Sequence, residues 1–455
     1  MTAGPSGGPA RIESEVSRLL NLHDGPHALP HIVAFGGAAI PALECVLRGP
    51  SQAVYHPRCW AADALASIGG SLAAQALLRA LDDSVHRDPA PLAREAEDVV
   101  VGCVAEHLSA IAPSAQTISA LANALECRAY VGCVRALGRL RAVKALPLLV
   151  RSLFDDSTRE AAVEALRRLG PAAIAPVVDA VGDLYRVNGI EPPTHIDGRA
   201  AAAVLLGTLL HQNPLVAEAL RDRALSGLRH ALRDSQRRVR AAAALSLIRA
   251  EDRVRTAIRV LVRALDEPDR RRLTPILRTL NRLGPRIEPA LFEVMASHEI
   301  GERATRRLRH AVWLAGQLHT AASAAALSRM RSVEDTALRR AIIAALDRNT
   351  ATPPEALEHY LADGDVGVRR HAVQALHQRE ALSVPRALLL LGDPDKQIRT
   401  LAALCLSRHP ASSRRALRRA VLALGAPLKG LYPRLRLLYH GLLWRCRGIR
   451  RPPHR

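Results

Sequence analysis

Residues 335–346 read DTALRRAIIAAL, and the same pattern returns thirty residues later as DVGVRRHAVQAL (365–376) and again as DKQIRTLAALCL (395–406). Each copy holds an arginine followed by apolar positions in the frame R-x-x-A-x-x-A-L. This spacing places the apolar side chains on one face of a helix, and the small ones allow a neighbouring helix to approach closely. Each copy is therefore predicted to be a packing helix.

The frame returns over most of the chain. It begins at Arg58, Arg159, Arg199 and Arg240, and weaker copies cover 130–140, 273–283 and 308–318. A second apolar stretch precedes many copies and often carries proline in its first turn, as in IPALECVL and IEPALFEVM. One repeat is thus predicted to be two antiparallel helices. Because one pair cannot bury its apolar face alone, about ten pairs are expected to stack into an all-α solenoid.

The segments DDSTREAAVEALRRLGPAAIAPVVDAV (155–181) and DGDVGVRRHAVQAL (363–376) resemble HEAT repeats of the short bacterial kind first described in phycobilisome lyases. The resemblance covers roughly residues 11–425, which leaves 1–10 as an expected flexible tail and 426–455 as a basic C-terminal extension or cap. HEAT repeats occur in scaffolds, lyases, hydroxylases and DNA repair enzymes. The resemblance therefore predicts the fold and leaves the activity open.

An aspartate stands four residues before the arginine in four copies of the repeat. That position suits an aspartate that caps the helix start and pairs with the arginine one turn on. Repeated along a stack, these pairs are expected to form a structural ladder. Its predicted members are Asp155 with Arg159, Asp335 with Arg339, Asp365 with Arg369, and Asp395 with Arg399.

Composition narrows the class of protein. The 455 residues are 49% apolar and only 3% aromatic, which excludes wholesale disorder and favours helices over sheets. The seven cysteines form no CxxC pair, and no signal peptide or membrane-spanning run is evident. We therefore expect a cytoplasmic protein.

The positive charge is concentrated towards the C-terminus. The net charge is +21, and residues 396–455 contain 15 basic and no acidic residues. Such a stretch fits an acidic protein or a nucleic-acid backbone better than a lipid surface, and its leucines could also cap the last repeat. The residues selected for partner binding are Arg303, Arg306, Arg307, Arg414, Arg415, Arg418 and Arg419.

Two longer connections interrupt the regular frame, at 84–93 and 185–198. Both are predicted to join the first helix of a pair to the second. They would form a binding rim or, more simply, tolerated surface insertions.

Three histidines near the N-terminus are the first candidates for a metal site. His23, His27 and His31 have helical spacing, but Gly25 and the nearby prolines are expected to spoil their alignment. The set Glu191, His195 and Asp197 could bind a cation, but it is interpreted as ordinary polar residues of a solvent-facing loop.

Deoxyhypusine hydroxylase is a HEAT-repeat enzyme that holds two irons with paired His-Glu steps, and it offers a second test for a metal centre. Only His298-Glu299 retains such a step, because His310 and His371 are each followed by alanine. No metal or other cofactor is therefore expected.

Enzyme motifs are scarce as well: the chain has no P-loop, and no small-molecule substrate is evident. HEAT-like DNA glycosylases combine tryptophan with a catalytic aspartate, and Trp60 lies near Asp63. Trp60 and Trp313 both fall in the packing frame, however, and are predicted to be core residues. The sequence thus favours a non-enzymatic scaffold that binds an acidic partner protein. The alternatives are a sequence-independent nucleic-acid-binding protein and a HEAT-like lyase or glycosylase.

Overall fold

The computed structural model describes residues 8–408 except 52, 88, 89, 185, 186, 188, 251, 252, 298, 331 and 332. In the described chain the helices follow one another as antiparallel pairs, and the predicted all-α solenoid class is confirmed. The only β-type pairing among these residues is an isolated bridge between Val187 and Ile190. The contacts divide the chain into two units, Met1–Val260 and Leu261–Arg455, and each is a stack of helix pairs.

The N-terminal unit ends within the fifteenth α-helix of the described chain. Its helices are α1 Pro9–Ser17, α2 Gly25–Ala34, α3 Ile40–Leu47, α4 His56–Ile68, α5 Gly70–Val85, α6 Pro91–Ile111, α7 Ala115–Cys127, α8 Val131–Arg139, α9 Leu146–Arg151, α10 Arg159–Leu169, α11 Ile174–Gly182, α12 Pro193–Gln212, α13 Glu218–Ala231, α14 Arg237–Arg249 and α15 Val254–Arg263. The two long connections do join first helices to second ones, since they link α5 to α6 and α11 to α12.

The C-terminal unit continues the alternation. Its helices are α16 Arg270–Leu283, α17 Glu288–Met295, α18 Glu302–Gln317, α19 Ala321–Arg329, α20 Thr336–Arg348, α21 Pro354–Glu358, α22 Val366–Gln378, α23 Val384–Leu390 and α24 Lys396–Arg408. The predicted cap over 426–455 lies outside the described residues.

Each unit has two layers of helices. From α3 onward the odd-numbered helices are the first members of the pairs and the even-numbered helices are the second. Neighbouring second helices touch in order from α4 to α14 within the N-terminal unit, and from α16 to α24 within the C-terminal unit. The core between the layers is built from the alanines and leucines of the repeat, such as Ala372 and Leu376 of α22, which are fully buried.

Small residues set the close spacing of the second helices. A Cβ atom added to Gly132 on α8 would lie 2.3 Å from the Cα of Gly102 on α6. In the C-terminal unit, a Cβ on Gly316 would lie 2.7 Å from the Cα of Ala345. No side chain larger than hydrogen fits at these crossings without separating the helices.

We expect Gly132→Ala to lower the free energy of unfolding by about 1–3 kcal/mol, because α6 and α8 must move apart. Urea unfolding would measure the loss. Gly182→Ala is the control, since nothing lies within 4 Å of an added Cβ there. Equal stability of the two variants would contradict the close crossing.

Candidate partner-binding face

The repeat arginines bind the chain itself. Arg339 donates to the carbonyl of Val333, at 3.0 Å, and its Nε donates to Asp363 of the next repeat at 2.9 Å. Arg369 repeats both contacts, to the carbonyl of Asp363 at 2.8 Å and to Asp393 at 2.9 Å. Each arginine therefore closes the turn before its own helix and links its repeat to the following one.

The predicted pairing inside each repeat needs correction. Asp335 and Asp365 do cap α20 and α22 through backbone N–H groups, and Asp395 accepts from the N–H groups that follow it. Their ion-pair partners, however, come from the preceding repeat. Arg340 binds Asp365 through two hydrogen bonds of 2.9 and 2.7 Å, and Arg370 binds Asp395 at 3.0 and 2.5 Å. The ladder runs between repeats because the neighbouring second helix brings its arginine closer than the capped helix does.

The remaining members of the predicted ladder also have other partners. Arg399 donates to the carbonyls of Asp393 and Pro394, at 2.8 and 2.7 Å. Arg159 ion-pairs with Asp156 at 2.5 Å. Asp155 accepts instead from the backbone N–H groups of the two residues at 157 and 158. The predicted ion pairs Asp155–Arg159 and Asp395–Arg399 are therefore wrong, although each aspartate does accept hydrogen bonds from the turn that starts its helix.

Arg306 and Arg307, which the sequence offers as partner-binding residues, hold α18 in place instead. Arg306 donates to the carbonyl of Asp266 at 3.2 Å and pairs with Glu302 at 2.5 Å. Arg307 is 18% exposed and pairs with Glu299 at 2.7 Å. Both guanidinium groups are thus engaged within the chain. Arg303 is exposed and stays a candidate.

Buried ion pairs occupy the region around residue 191. Glu191 and His195 are 5% and 8% exposed, so the interpretation as solvent-facing loop residues is wrong. His195 belongs to α12 and lies 3.2 Å from Glu191, while Arg199 binds both oxygens of the same carboxylate. Asp197 pairs with Arg238 at 3.0 Å. The arginines neutralise these carboxylates.

A second buried pair joins α4 to α6. Arg58 binds Glu97 at 2.5 and 2.9 Å, donates to the carbonyl of Leu47, and is 6% exposed. Burial raises the pKa of Glu97, but hydrogen bonds from Arg58, Ser51 and Ser84 outweigh burial and lower the pKa to about 2.

Acid is expected to destabilise the fold through Glu97. Because its pKa in the folded state lies below the ordinary 4.5, the carboxylate stabilises the fold above that pH, and this contribution disappears as the pH falls towards 2. Glu97→Gln should therefore show a shallower loss of stability between about pH 5 and pH 2 than the wild type does. Urea unfolding at several pH values measures this, with the exposed Glu95→Gln on the same helix as control. Parallel profiles for all three proteins would refute it.

The prediction that prolines spoil the alignment of His23, His27 and His31 is partly wrong. α2 continues through Pro30, so His27 and His31 share one helix despite the prolines. The rings of His23 and His27 have centroids 6.4 Å apart, and all three histidines are exposed. In the part of the chain that the structure describes, no group of three His, Cys, Asp or Glu side chains could hold a metal ion. His298 lies outside the described residues.

The two tryptophans of the packing frame have different environments. Trp60 is half-buried and packs against Gly25, where an added Cβ would lie 2.2 Å from the ring. Trp313 is 38% exposed, so its prediction as a core residue is wrong. The reason is its register: Trp313 lies five residues after Leu308, the start of its frame, and the equivalent Gln374 of α22 is also exposed. In α18, α20 and α22 the buried positions lie three, four, six and seven residues after the start of the frame.

The positions one, five and nine residues after the start of the frame define a surface on the second helices of the C-terminal unit. Because these positions are four residues apart, they share one side of each helix. Arginine is the commonest residue there. We call this surface the arginine face; its members are Arg278, Arg282, Arg309, Trp313, Arg340, Arg348 and Arg370.

Three arginines give this face its net positive charge. Arg309, Arg340 and Arg370 are balanced by the capping aspartates. The other three, at 278, 282 and 348, have exposed side chains with no acidic partner among the described residues. Residues 270–286 contain six arginines and no acidic residue, a signal that was available in the sequence but is overshadowed by the stronger one at the C-terminus.

Most of the basic C-terminal stretch lies outside the described residues. The candidates Arg414, Arg415, Arg418 and Arg419 lie outside the described residues. Their role in partner binding stays a prediction.

Comparison with solved structures finds similar helical-repeat proteins. A chain of the Kap95p–RanGDP structure is 12% identical with a TM-score of 0.49, over 96% of this chain and 66% of that one. The structure of Kap121p bound to RanGTP gives 12% identity and a TM-score of 0.49, over 88% of this chain and 48% of that one. Human deoxyhypusine hydroxylase gives 20% identity and a TM-score of 0.22, over 68% of this chain and 95% of that one. The matched region thus spans between about half and about two thirds of the Kap121p and Kap95p-complex chains.

These similarities concern the fold and carry no argument about activity or partners. No protein-family model matches the sequence. No curated protein matches it either. Among the described residues, no helix combines the length and the apolar character needed to cross a bilayer.

Proposed function

We propose that this chain is a non-enzymatic, cytoplasmic HEAT-type scaffold that binds an acidic segment of a partner protein on its arginine face. The observation that carries the proposal is an exposed Trp313 on the same layer as exposed arginines that lack an acidic partner. Tryptophan and arginine are among the residues most enriched at the energetic centres of protein interfaces. Although the repeats resemble those of phycobilisome lyases, we assign no catalytic group to the arginine face.

The chemistry of the face defines the partner. Arg278 and Arg282 lie one helical turn apart, so a carboxylate between them would accept charge-assisted hydrogen bonds from both. Trp313 offers an apolar ring that a partner leucine, methionine or aromatic side chain can cover. The partner segment is therefore acidic with at least one apolar anchor.

Charge reversal tests the proposal. Proteins that co-purify with the full chain at low salt are identified, and the most acidic one is expressed and titrated against variants. Arg278→Glu/Arg282→Glu should weaken binding at least tenfold, because it replaces attraction by repulsion. Arg286→Glu/Arg329→Glu is the matched control, because it makes the same change of net charge at two exposed side chains outside the second helices. Equal weakening in both variants would place the binding elsewhere.

Nucleic acid is the competing ligand class for an arginine-rich surface. A short generic DNA duplex is titrated at about 50 and 200 mM salt. Strong binding that falls by orders of magnitude between these conditions, and that the arginine-face variant abolishes, would reassign the face to phosphate backbones.

A further inference from the structure

Two cysteines of the N-terminal unit face each other on neighbouring second helices. Cys59 lies near the start of α4 and is buried, and Cys103 lies in the middle of α6 and is partly exposed. The two side chains form a hydrogen bond with each other. Because a disulfide joins two sulfurs whose Cβ atoms are about 4 Å apart, thiols that already touch need only small rotations to form one.

The register of α4 and α6 keeps the cysteine pair together. Four residues further along each helix, Nε2 of His107 donates to Oδ1 of Asp63 at 2.7 Å. Residues four apart share one side of a helix, so this contact lies one turn beyond the cysteines and crosses the same helix boundary. Towards the helix starts, the buried pair of Arg58 and Glu97 joins the same two helices. The cysteine contact is therefore determined by helix packing.

The two thiols differ in accessibility and in acidity. The S–H of Cys59 donates to the sulfur of Cys103, and this hydrogen bond lowers the pKa of Cys103 and raises that of Cys59. Burial and the carboxylates of Asp63 and Glu106 oppose the lowering at Cys103, while the charge of His107 adds to it. The thiolate is the nucleophilic form of cysteine. Cys103 is therefore the attacking thiol, because it is the more acidic and the more exposed of the two.

We propose that Cys59 and Cys103 react with a hydroperoxide to form a reversible disulfide between α4 and α6. The Cys103 sulfur attacks a peroxide oxygen, the O–O bond breaks, and the leaving oxygen takes up the proton that the thiol released. The Cys59 sulfur then attacks the sulfur of the sulfenic acid, so that the S–S bond forms, the S–O bond breaks, and water leaves with the Cys59 proton. The peroxide gains the two electrons that the thiols lose. Exchange with an external dithiol restores both thiols, and the arginine face takes no part.

Mass spectrometry of the full wild-type chain tests the link. Reduced protein is treated with hydrogen peroxide, the remaining thiols are alkylated, and the chain is digested with trypsin and a glutamate-specific protease. Cleavage after Glu106 separates Cys103 from Cys127. We expect one dominant linked pair, between the peptides that contain Cys59 and Cys103, and its loss on treatment with dithiothreitol. Oxidation of the exposed Cys45 and Cys127 without this link would overturn the proposal.

Serine variants test the order of the two steps. Cys59→Ser should accumulate a sulfenic acid at Cys103 that dimedone traps, whereas Cys103→Ser should slow the oxidation of Cys59 about tenfold or more. Cys127→Ser is the control, because it removes an exposed thiol from the first helix α7 and should form the link as the wild type does. Thermal melting checks that each variant is folded. Equal trapping at Cys59 and Cys103 in the two single variants, or loss of the link in the control, would contradict the assigned roles.

Discussion

Replacing Arg199 by alanine is expected to lower the free energy of unfolding by about 3–5 kcal/mol. Arg199 is 2% exposed and binds both oxygens of Glu191, at 3.0 and 3.1 Å. It also pairs with Asp234 and donates to the carbonyl of Val181 at 3.0 Å. The alanine variant leaves a buried carboxylate without its counter-ion, and the cost of that desolvated charge dominates the expected loss.

Chemical denaturation monitored by circular dichroism measures this loss. Arg223→Ala is the control, because Arg223 and Asp179 form an exposed pair with side chains 54% and 66% accessible. Such a surface pair is worth about 1 kcal/mol or less. The double variant Arg199→Ala/Glu191→Ala should recover part of the stability, since it removes the unpaired charge. A loss from Arg199→Ala no larger than that of the control would show that the buried network contributes little.

Replacing Trp313 by alanine is expected to weaken partner binding by about 2–4 kcal/mol, which is roughly thirtyfold or more. The ring is 38% exposed on the arginine face and offers the largest apolar surface there. Burying such a ring against a partner yields more free energy than any rim arginine does, because screened surface charges contribute little.

The Trp313→Ala effect is measured as the dissociation constant of the identified partner. Leu389→Ala is the control: Leu389 is 71% exposed on α23, a first helix, so it removes apolar surface away from the face. Thermal melting separates a binding defect from unfolding. Unchanged affinity of Trp313→Ala beside intact folding would remove the tryptophan from the interface.

The helix pairs could be predicted because the frame repeats with so little change. Arg339, Arg369 and Arg399 each start a copy, and each donates to a carbonyl six residues before itself. Local spacing determines which face of a helix is buried, and that information lies within a few residues of the sequence.

Contacts between repeats were harder to predict. Arg339 binds Asp363 and not Asp335, because the stacking distance, which no single repeat encodes, decides which carboxylate is nearer. The burial of the Glu191 carboxylate likewise depends on Arg199, which also reaches a carboxylate of the next repeat. Trp313 was misassigned because an apolar residue in an amphipathic helix is expected to be buried, and its position in the frame faces outward.

Site-specific photo-crosslinking tests the central claim that the second-helix surface of the C-terminal unit binds a protein. A photoreactive phenylalanine analogue is placed at position 313 of the full chain, and at position 389 as the control. The account predicts that an acidic partner crosslinks at 313 and not at 389, and that Arg278→Glu/Arg282→Glu abolishes the product. Crosslinking of the same partner at 389 alone, or only to nucleic acid at 313, would contradict it.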